Sequence, residues 1–341
     1  MAEMKKDLVL KVEGLKTRFK VDKKIVNAVN GVNFELKRGK TLCVVGESGC
    51  GKSVTAHSIM QLLPKTGYIE DGFVDYSPVE GETVRLTDYK RTSKQIREIR
   101  GKDIAMIFQD PMTSLNPVYT IGSQIVENLR KHEKLTKEEA KARVIKLLED
   151  LGIPEAEKRF DDYPHQFSGG MRQRVMIAIA MVCNPKILIA DEPTTALDVT
   201  IEAQILKLMK QLRDEHGTSI LMITHNMGVV AQMCDYVYVM YAGKVMEQAE
   251  TFELFRNTCH PYTSGLLRSI PKMDSHVDRL YSIPGVVPNL LHLPKGCSFC
   301  TRCPYADDYC RENRPELYDV ESAEPHKVRC FRMEKGGDQN G

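Results

Sequence analysis

Residues 46–53 read Gly-Glu-Ser-Gly-Cys-Gly-Lys-Ser and fill every fixed position of a phosphate-binding P-loop. Gly46, Gly49 and Gly51, with Ser48 and Cys50 between them, let backbone N–H groups turn inward as an anion nest. Lys52 is suited to neutralising β- and γ-phosphates, and the Ser53 hydroxyl to ligating Mg²⁺. The apolar run 42–45 before the loop reads as a buried strand, and 54–63 after it as a helix whose positive end faces the same phosphates. Strand, loop and helix in that order mark a nucleotide site more firmly than the motif alone.

Two further segments suit phosphoryl transfer. Asp191 and Glu192 end the apolar run 187–190, where an α/β sheet presents its ligand site. Asp191 fits an acid on the Mg²⁺ side, and Glu192 a base that polarises an attacking water. On its own, such a pair serves equally well to cap the next turn. Ser168, Gly169 and Gly170 open a helix as a second nest for a γ-phosphate, or as an ordinary N-cap.

Of ten cysteines, Cys297, Cys300, Cys303, Cys310 and Cys330 crowd into the C-terminal region. Four thiolates meeting at one point suit zinc or an iron–sulfur cluster. Spacing leaves two ligand sets open: Cys297, Cys300 and Cys303 mimic a ferredoxin run, although Cys310 follows too late to be its fourth member. The scattered Cys43, Cys50, Cys183, Cys234 and Cys259 read mostly as small buried hydrophobes.

The elements that must hold these groups follow from periodicity. Segments 7–19 and 26–36 alternate as opening strands, and 68–86 reads as a small antiparallel sheet. Runs 104–108, 187–190 and 219–224 read as buried strands, and 236–240 with 244–247 as a hairpin around Ala242-Gly243. Helical spacing runs through 121–151, with Ala142, Ile145, Leu148 and Leu151 as its stripe, and again through 168–181 and 201–216. Beyond about residue 256 the chain becomes irregular and rich in proline, cysteine and histidine. Alternating strands and helices mean an α/β core. With 48 basic and 46 acidic residues the chain has no nucleic-acid footprint. It has no secretory leader and no apolar run near the roughly 20 residues of a membrane helix, so a soluble protein with reduced thiols is expected, reaching a membrane only through partners.

Residues 167–174 resemble the signature of ATP-binding cassette (ABC) ATPases, and the other motifs follow in that family's order. Gln109 matches the Q-loop, Asp198 the D-loop, and His225 the switch histidine. Runs 107–117, 260–271, 283–290 and 296–304 resemble the dipeptide/oligopeptide (and nickel) importer branch, so the resemblance spans about 7–331. It implies an α/β P-loop ATPase domain over 1–255, with an antiparallel β subdomain and a helical subdomain at about 110–168, and an irregular extension over 256–341.

The resemblance also implies roles. ATP and Mg²⁺ are held by Gly46, Ser48, Gly49, Cys50, Gly51, Lys52, Ser53 and Val54, with Asp191 and Gln109 on the metal side. Glu192 is the base and His225 contacts the γ-phosphate. Phe19 is the candidate for stacking on adenine, with a strand-core role as its alternative. In a head-to-tail dimer, Ser168, Gly169, Gly170 and Asp198 serve the partner's nucleotide. The implied assembly has a second, non-identical ATPase, two transmembrane permease subunits and an external substrate-binding protein, with no nucleic acid. This chain would lie peripherally on the cytoplasmic face and drive peptide import; a nickel or other solute importer, a non-transport ABC ATPase and a redox-sensing module are the alternatives. In this branch Cys297, Cys303, Cys310 and Cys330 can hold a [4Fe–4S] cluster, with zinc as the alternative and Cys300 a spare thiol.

Overall fold

The computed structural model describes residues 4–110, 114–195, 197–270 and 281–334. Its strands are β1 (Leu8–Val21), β2 (Lys24–Lys37), β3 (Thr41–Val45), β4 (Gly67–Tyr76), β5 (Val84–Arg85), β6 (Ile104–Ile107), β7 (Ile187–Asp191), β8 (Ser219–Thr224), β9 (Tyr236–Tyr241), β10 (Lys244–Glu250), β11 (Tyr318–Asp319) and β12 (His326–Val328). Its described helices are α1 (Lys52–Ile59), α2 (Lys94–Ile99), α3 (Ile121–His132), α4 (Lys137–Asp150), α5 (Ala156–Arg159), α6 (Gly169–Met181), α7 (Val199–His216), α8 (Met227–Met233), α9 (Thr251–Arg256), α10 (Pro261–Arg268), α11 (Asp308–Glu312) and α12 (Phe331–Glu334). The chain forms two compact units. The first takes the chain up to Val9, Leu36–Lys40 and Tyr76–Met222; the second takes Leu10–Glu35, Thr41–Asp75 and everything from Ile223 onward.

In the first unit β6 and β7 run parallel, from Ile104 opposite Ile187 to Ile107 opposite Ala190. Every residue of both strands is buried, which is why they read as continuous apolar runs rather than alternating ones. The expected helical segment becomes α3 and α4, with α5 after them. A capping box starts α4: Thr136 Oγ1 accepts from the Glu139 N–H at 3.2 Å, and the Thr136 N–H donates to Glu139 Oε2 at 2.9 Å. Its buried stripe is Ala140, Val144 and Leu148, not the predicted line through Ala142 and Ile145; Ala142 is exposed and Ile145 half-buried. A sequence window fixes the helical period, but neighbours choose among adjacent faces. Here Asn128 of α3 donates to the Ile179 carbonyl of α6, and Arg143 of α4 to the Val182 carbonyl just beyond α6.

In the second unit β3 lies parallel to β9, from Leu42 opposite Tyr236 to Val45 opposite Val239. The β9–β10 hairpin turns through Ala242 and Gly243 at φ 46° and 79°, the left-handed pair that a two-residue hairpin requires. The extension is less irregular than its composition suggests, since β12 pairs antiparallel with β10 and β11 with β12. Strands of 2 and 3 residues carry too few positions to alternate visibly in sequence. The short helices α2, α8, α9 and α11 escape the sequence for the same reason.

A buried carboxylate fastens the extension. Glu247 of β10, fully buried, accepts from the Cys259 N–H at 2.7 Å, the His260 N–H at 3.2 Å and His326 Nε2 at 2.9 Å. Removing one member of a buried pair leaves the other uncompensated. Glu247→Ala is therefore expected to destabilise the protein by about 3–5 kcal/mol, read as a lowered denaturant midpoint; an unchanged midpoint would refute the fastening role.

Candidate functional site

The P-loop leaves β3 and closes on α1 within the second unit. Gly46 and Gly51 have φ 153° and 105°, values that side chains of L-residues avoid. Space forbids replacement as well: a Cβ on Gly51 would lie 2.5 Å from the Ala28 carbonyl oxygen of β2. A Cβ on Gly46 would collide with the Met240 carbonyl of β9. Ser48 and Gly49 are exposed, while Cys50, Gly51 and Lys52 are buried and Ser53 and Val54 half-buried. Lys52 Nζ donates to the Gly46 and Glu47 carbonyls at 2.7 and 3.1 Å. Its ammonium is thus drawn across the mouth of the loop.

The first unit carries the acidic pair. Asp191 ends β7 and is buried, as is Glu192. Glu192 adopts a left-handed φ of 47°, unusual outside glycine and costing about 1–3 kcal/mol. Its carboxylate is oriented from two sides. Gln109 Nε2 and Thr195 Oγ1 each donate to Glu192 Oε2 at 3.0 Å. The structure therefore brings two predicted residues, Gln109 and Glu192, into direct contact. Pro111, Met112 and Thr113 of the run after Gln109 lie outside the described residues, as do Ala196 beside Asp198 and Pro271 of the 260–271 run.

Ser168 is the N-cap of α6, its Oγ accepting from the Met171 N–H at 3.3 Å. The capping and nest readings thus describe one piece of backbone: Ser168 and Gly169 are exposed at the helix start. Gly170 is required by packing, since a Cβ there would come within 2.9 Å of Ile201 Cγ2. Asp198 caps α7 through the Ile201 N–H at 3.0 Å.

His225 stands exposed just past β8 in the second unit, and Asn226 after it caps α8 by accepting from the Gly228 N–H at 2.9 Å. Phe19 is half-buried in β1, and its ring crowds Gly67 of β4, where a Cβ would meet Cε1 at 2.7 Å. That contact expresses the strand-core side of its two readings.

The cysteine-rich segment folds into tight turns. The Cys297 N–H donates to the Cys310 carbonyl at 2.8 Å, and Cys300 and Cys303 N–H groups to the Cys297 and Phe299 carbonyls at 3.1 and 3.0 Å. Burial first, then the nearby Cys330, Cys300 and Cys310 thiols, push Cys297 up to about 12. Burial likewise raises Cys303, Cys310 and Cys330, with Cys330 and Cys310 adding to the shift at Cys303 and Cys330 to that at Cys310. The thiols are close enough to oppose one another's ionisation, which is the condition a bound cation relieves. Among the described residues the metal-ligating atoms that lie within 4.8 Å of one another are instead those of Glu247, Cys259 and His326. Hydrogen bonds already engage that carboxylate, so the trio serves as a fastening. Of the scattered cysteines, Cys43, Cys50 and Cys259 are buried and Cys183 and Cys234 half-buried.

Sequence reasoning missed Glu47, Tyr262 and Arg302, all of the second unit. Glu47 occupies a variable position of the P-loop, and Arg302 sits among cysteines that draw the attention. Tyr262 Oη accepts from the Glu47 N–H at 2.8 Å, while Arg302 grips the Glu47 carboxylate at 2.6 and 3.0 Å. The run 260–262 could have pointed there: His260 caps α10 through Nδ1, which requires a neutral ring, and burial lowers it to about 3. Tyr262 is then aimed by the helix.

Two family models match this chain: ABC transporter over residues 29–195, and the C-terminal region of oligopeptide/dipeptide transporters over 246–310. The oligopeptide transport ATP-binding protein AppD of Bacillus subtilis is 50% identical over 329 residues, covering 96% of this chain and 98% of its own. OppD of Haemophilus influenzae is 50% identical over 304 residues, covering 89% and 91%. Among solved structures, the dimeric bacterial ABC transporter cassette MJ0796 aligns with TM-score 0.62 at 27% identity, over 71% of this chain and 98% of that one. Its post-hydrolysis dimer with ADP and Pi aligns at 0.63, again at 27% identity and over the same shares of the two chains. The motif order, the cassette fold and these similarities agree, and the chain belongs to the ABC transporter ATP-binding proteins of the oligopeptide/dipeptide transporter family.

Proposed function

We infer that this chain hydrolyses ATP to drive uptake of short peptides through a membrane importer, with the P-loop as its phosphate-binding element and Glu192 as its base. The observation that carries the catalytic part is the Glu192 carboxylate, held at 3.0 Å by both Gln109 and Thr195. A carboxylate so oriented takes the proton of a water attacking the γ-phosphorus. The bond from that phosphorus to the bridging oxygen breaks, leaving ADP and phosphate. Lys52 counters charge on the β- and γ-oxygens, and His225, exposed just past β8, is read as the residue that contacts the γ-phosphate. Ser53, Asp191 and Gln109 would hold Mg²⁺, which when bound offsets the phosphate charge.

Exposed Ser168 and Gly169 are available to a second cassette, as a head-to-tail dimer requires. We read that cassette as a non-identical chain, both seated beneath two permease subunits on the cytoplasmic face of the membrane. No described helix is long and apolar enough to cross a membrane. The ATPase domain is read as 1–255 and the extension as 256–341. Gln109, next to the helices of 110–168, would tie the nucleotide's state to the permease contact.

Cys297, Cys303, Cys310 and Cys330 are read as ligands of a [4Fe–4S] cluster. The mutual effect of their thiols on one another's ionisation supports one shared site.

Glu192→Gln is expected to lower ATP turnover at least about 100-fold and leave ATP affinity within about twofold. Turnover at the unmodified rate would dismiss Glu192 as the base. For the cysteines, chain purified without oxygen should hold about four iron and about four sulfide, with broad visible absorbance. About one zinc without sulfide would make the extension a zinc clip, and neither metal would remove the cofactor altogether.

A further inference from the structure

The extension reaches the nucleotide loop through Tyr262 and, from among the cysteines, through Arg302. Arg302, between Cys300 and Cys303, has a side chain only 3% exposed, and its partner Glu47 lies in the P-loop. Nη1 and Nη2 donate to Glu47 Oε2 and Oε1 at 2.6 and 3.0 Å, a forked pair. Nη1 also donates to Tyr241 Oη at 3.4 Å, Nη2 to the Ile283 carbonyl at 3.1 Å, and Nε to the Pro284 carbonyl at 3.0 Å. All the N–H groups a guanidinium possesses are engaged.

Glu47 is bound just as fully. Its N–H donates to Tyr262, and its carbonyl accepts from Lys52 Nζ and from the Cys50 N–H. Tyr241, Tyr262 and Phe299 pack beneath the pair with ring centroids 4.7 to 5.4 Å apart. The residue that opens the phosphate-binding turn is thus fixed at its side chain and its N–H from outside the loop. The Arg302 backbone is itself set by the cysteine turn, its N–H donating to the Phe299 carbonyl at 3.0 Å.

We propose that Arg302 is a positioning residue of the ATP site, holding the P-loop in its phosphate-receiving form by clamping Glu47. The loop's glycines have little conformational preference of their own, so an external brace lowers the ordering cost of binding phosphate. Lysine cannot substitute, because a point charge lacks the fork. The proposal rests on the family's ATP binding and is independent of what the cysteines ligate.

The test is equilibrium binding of a fluorescent ATP analogue to the full-length chain, with melting temperature and metal content measured alongside. Arg302→Gln and Glu47→Gln are each expected to weaken binding roughly tenfold. The double variant should be no weaker than either single one, since both changes remove the same pair. Arg302→Lys should recover less than half of the loss on a logarithmic scale. In the assembled transporter the KM for ATP should rise while kcat at saturation stays within about twofold.

Single variants that bind the analogue within twofold of the unmodified chain would overturn the proposal. So would losses that add in the double variant, or a lowered melting temperature with affinity unchanged. Should Arg302 variants fail to fold, Glu47→Gln decides alone, being nearly isosteric at a side chain 29% exposed. An unmodified chain that ignores the analogue would refute ATP binding itself, a distinguishable failure.

Discussion

Few of the extension's described apolar side chains are buried, so its order leans on charges placed inside and paired. Two such matches hold it. Glu247 gathers two backbone N–H groups and His326 at the edge of β10. Glu47 and Arg302 form the second, against the P-loop. A buried charge without its partner costs several kcal/mol, which bears on Glu247 and on the Arg302 guanidinium, while the Glu47 side chain keeps 29% of its exposure. Tyr241, Tyr262, Phe299 and His260 fill the space between them with rings rather than aliphatic packing. That arrangement lets a loop-rich segment be rigid.

The same principle governs the residues that handle phosphate. Gly46 and Gly51 accept backbone angles and close carbonyl approaches that no side chain could share. Glu192, with no such freedom, sits at φ 47° nonetheless. Its Thr195 N–H bond of 3.2 Å closes the turn, and Gln109 and Thr195 hold the carboxylate. Strain of this kind persists only where neighbours over-determine the conformation. Groups oriented in advance are where preorganised sites gain most over water.

The glycine and serine candidates have structural roles of their own. Ser168 caps α6 while staying exposed at its start, and Gly170 is small because Ile201 of α7 presses on it. Asp198 caps the helix that carries Ile201. A substitution in either segment would therefore disturb helix capping or packing.

The P-loop, the buried strands around it and the order of the motifs were legible in the chain itself, because fixed spacing and period-two or period-3.6 patterns are local properties. Ile104–Ile107 and Ile187–Asp191 read as strands from their apolar runs, and their parallel pairing is a property of the fold. Which face of α4 is buried was not legible: Ala140 and Val144 against Ala142 and Ile145 is a choice made by α3 and α6. Nor were β11 and β12, strands of 2 and 3 residues that exist because β10 offers an edge. Glu47 and Arg302 stand 255 positions apart. No local pattern marks either one, and only folding the chain brings the carboxylate and the guanidinium together.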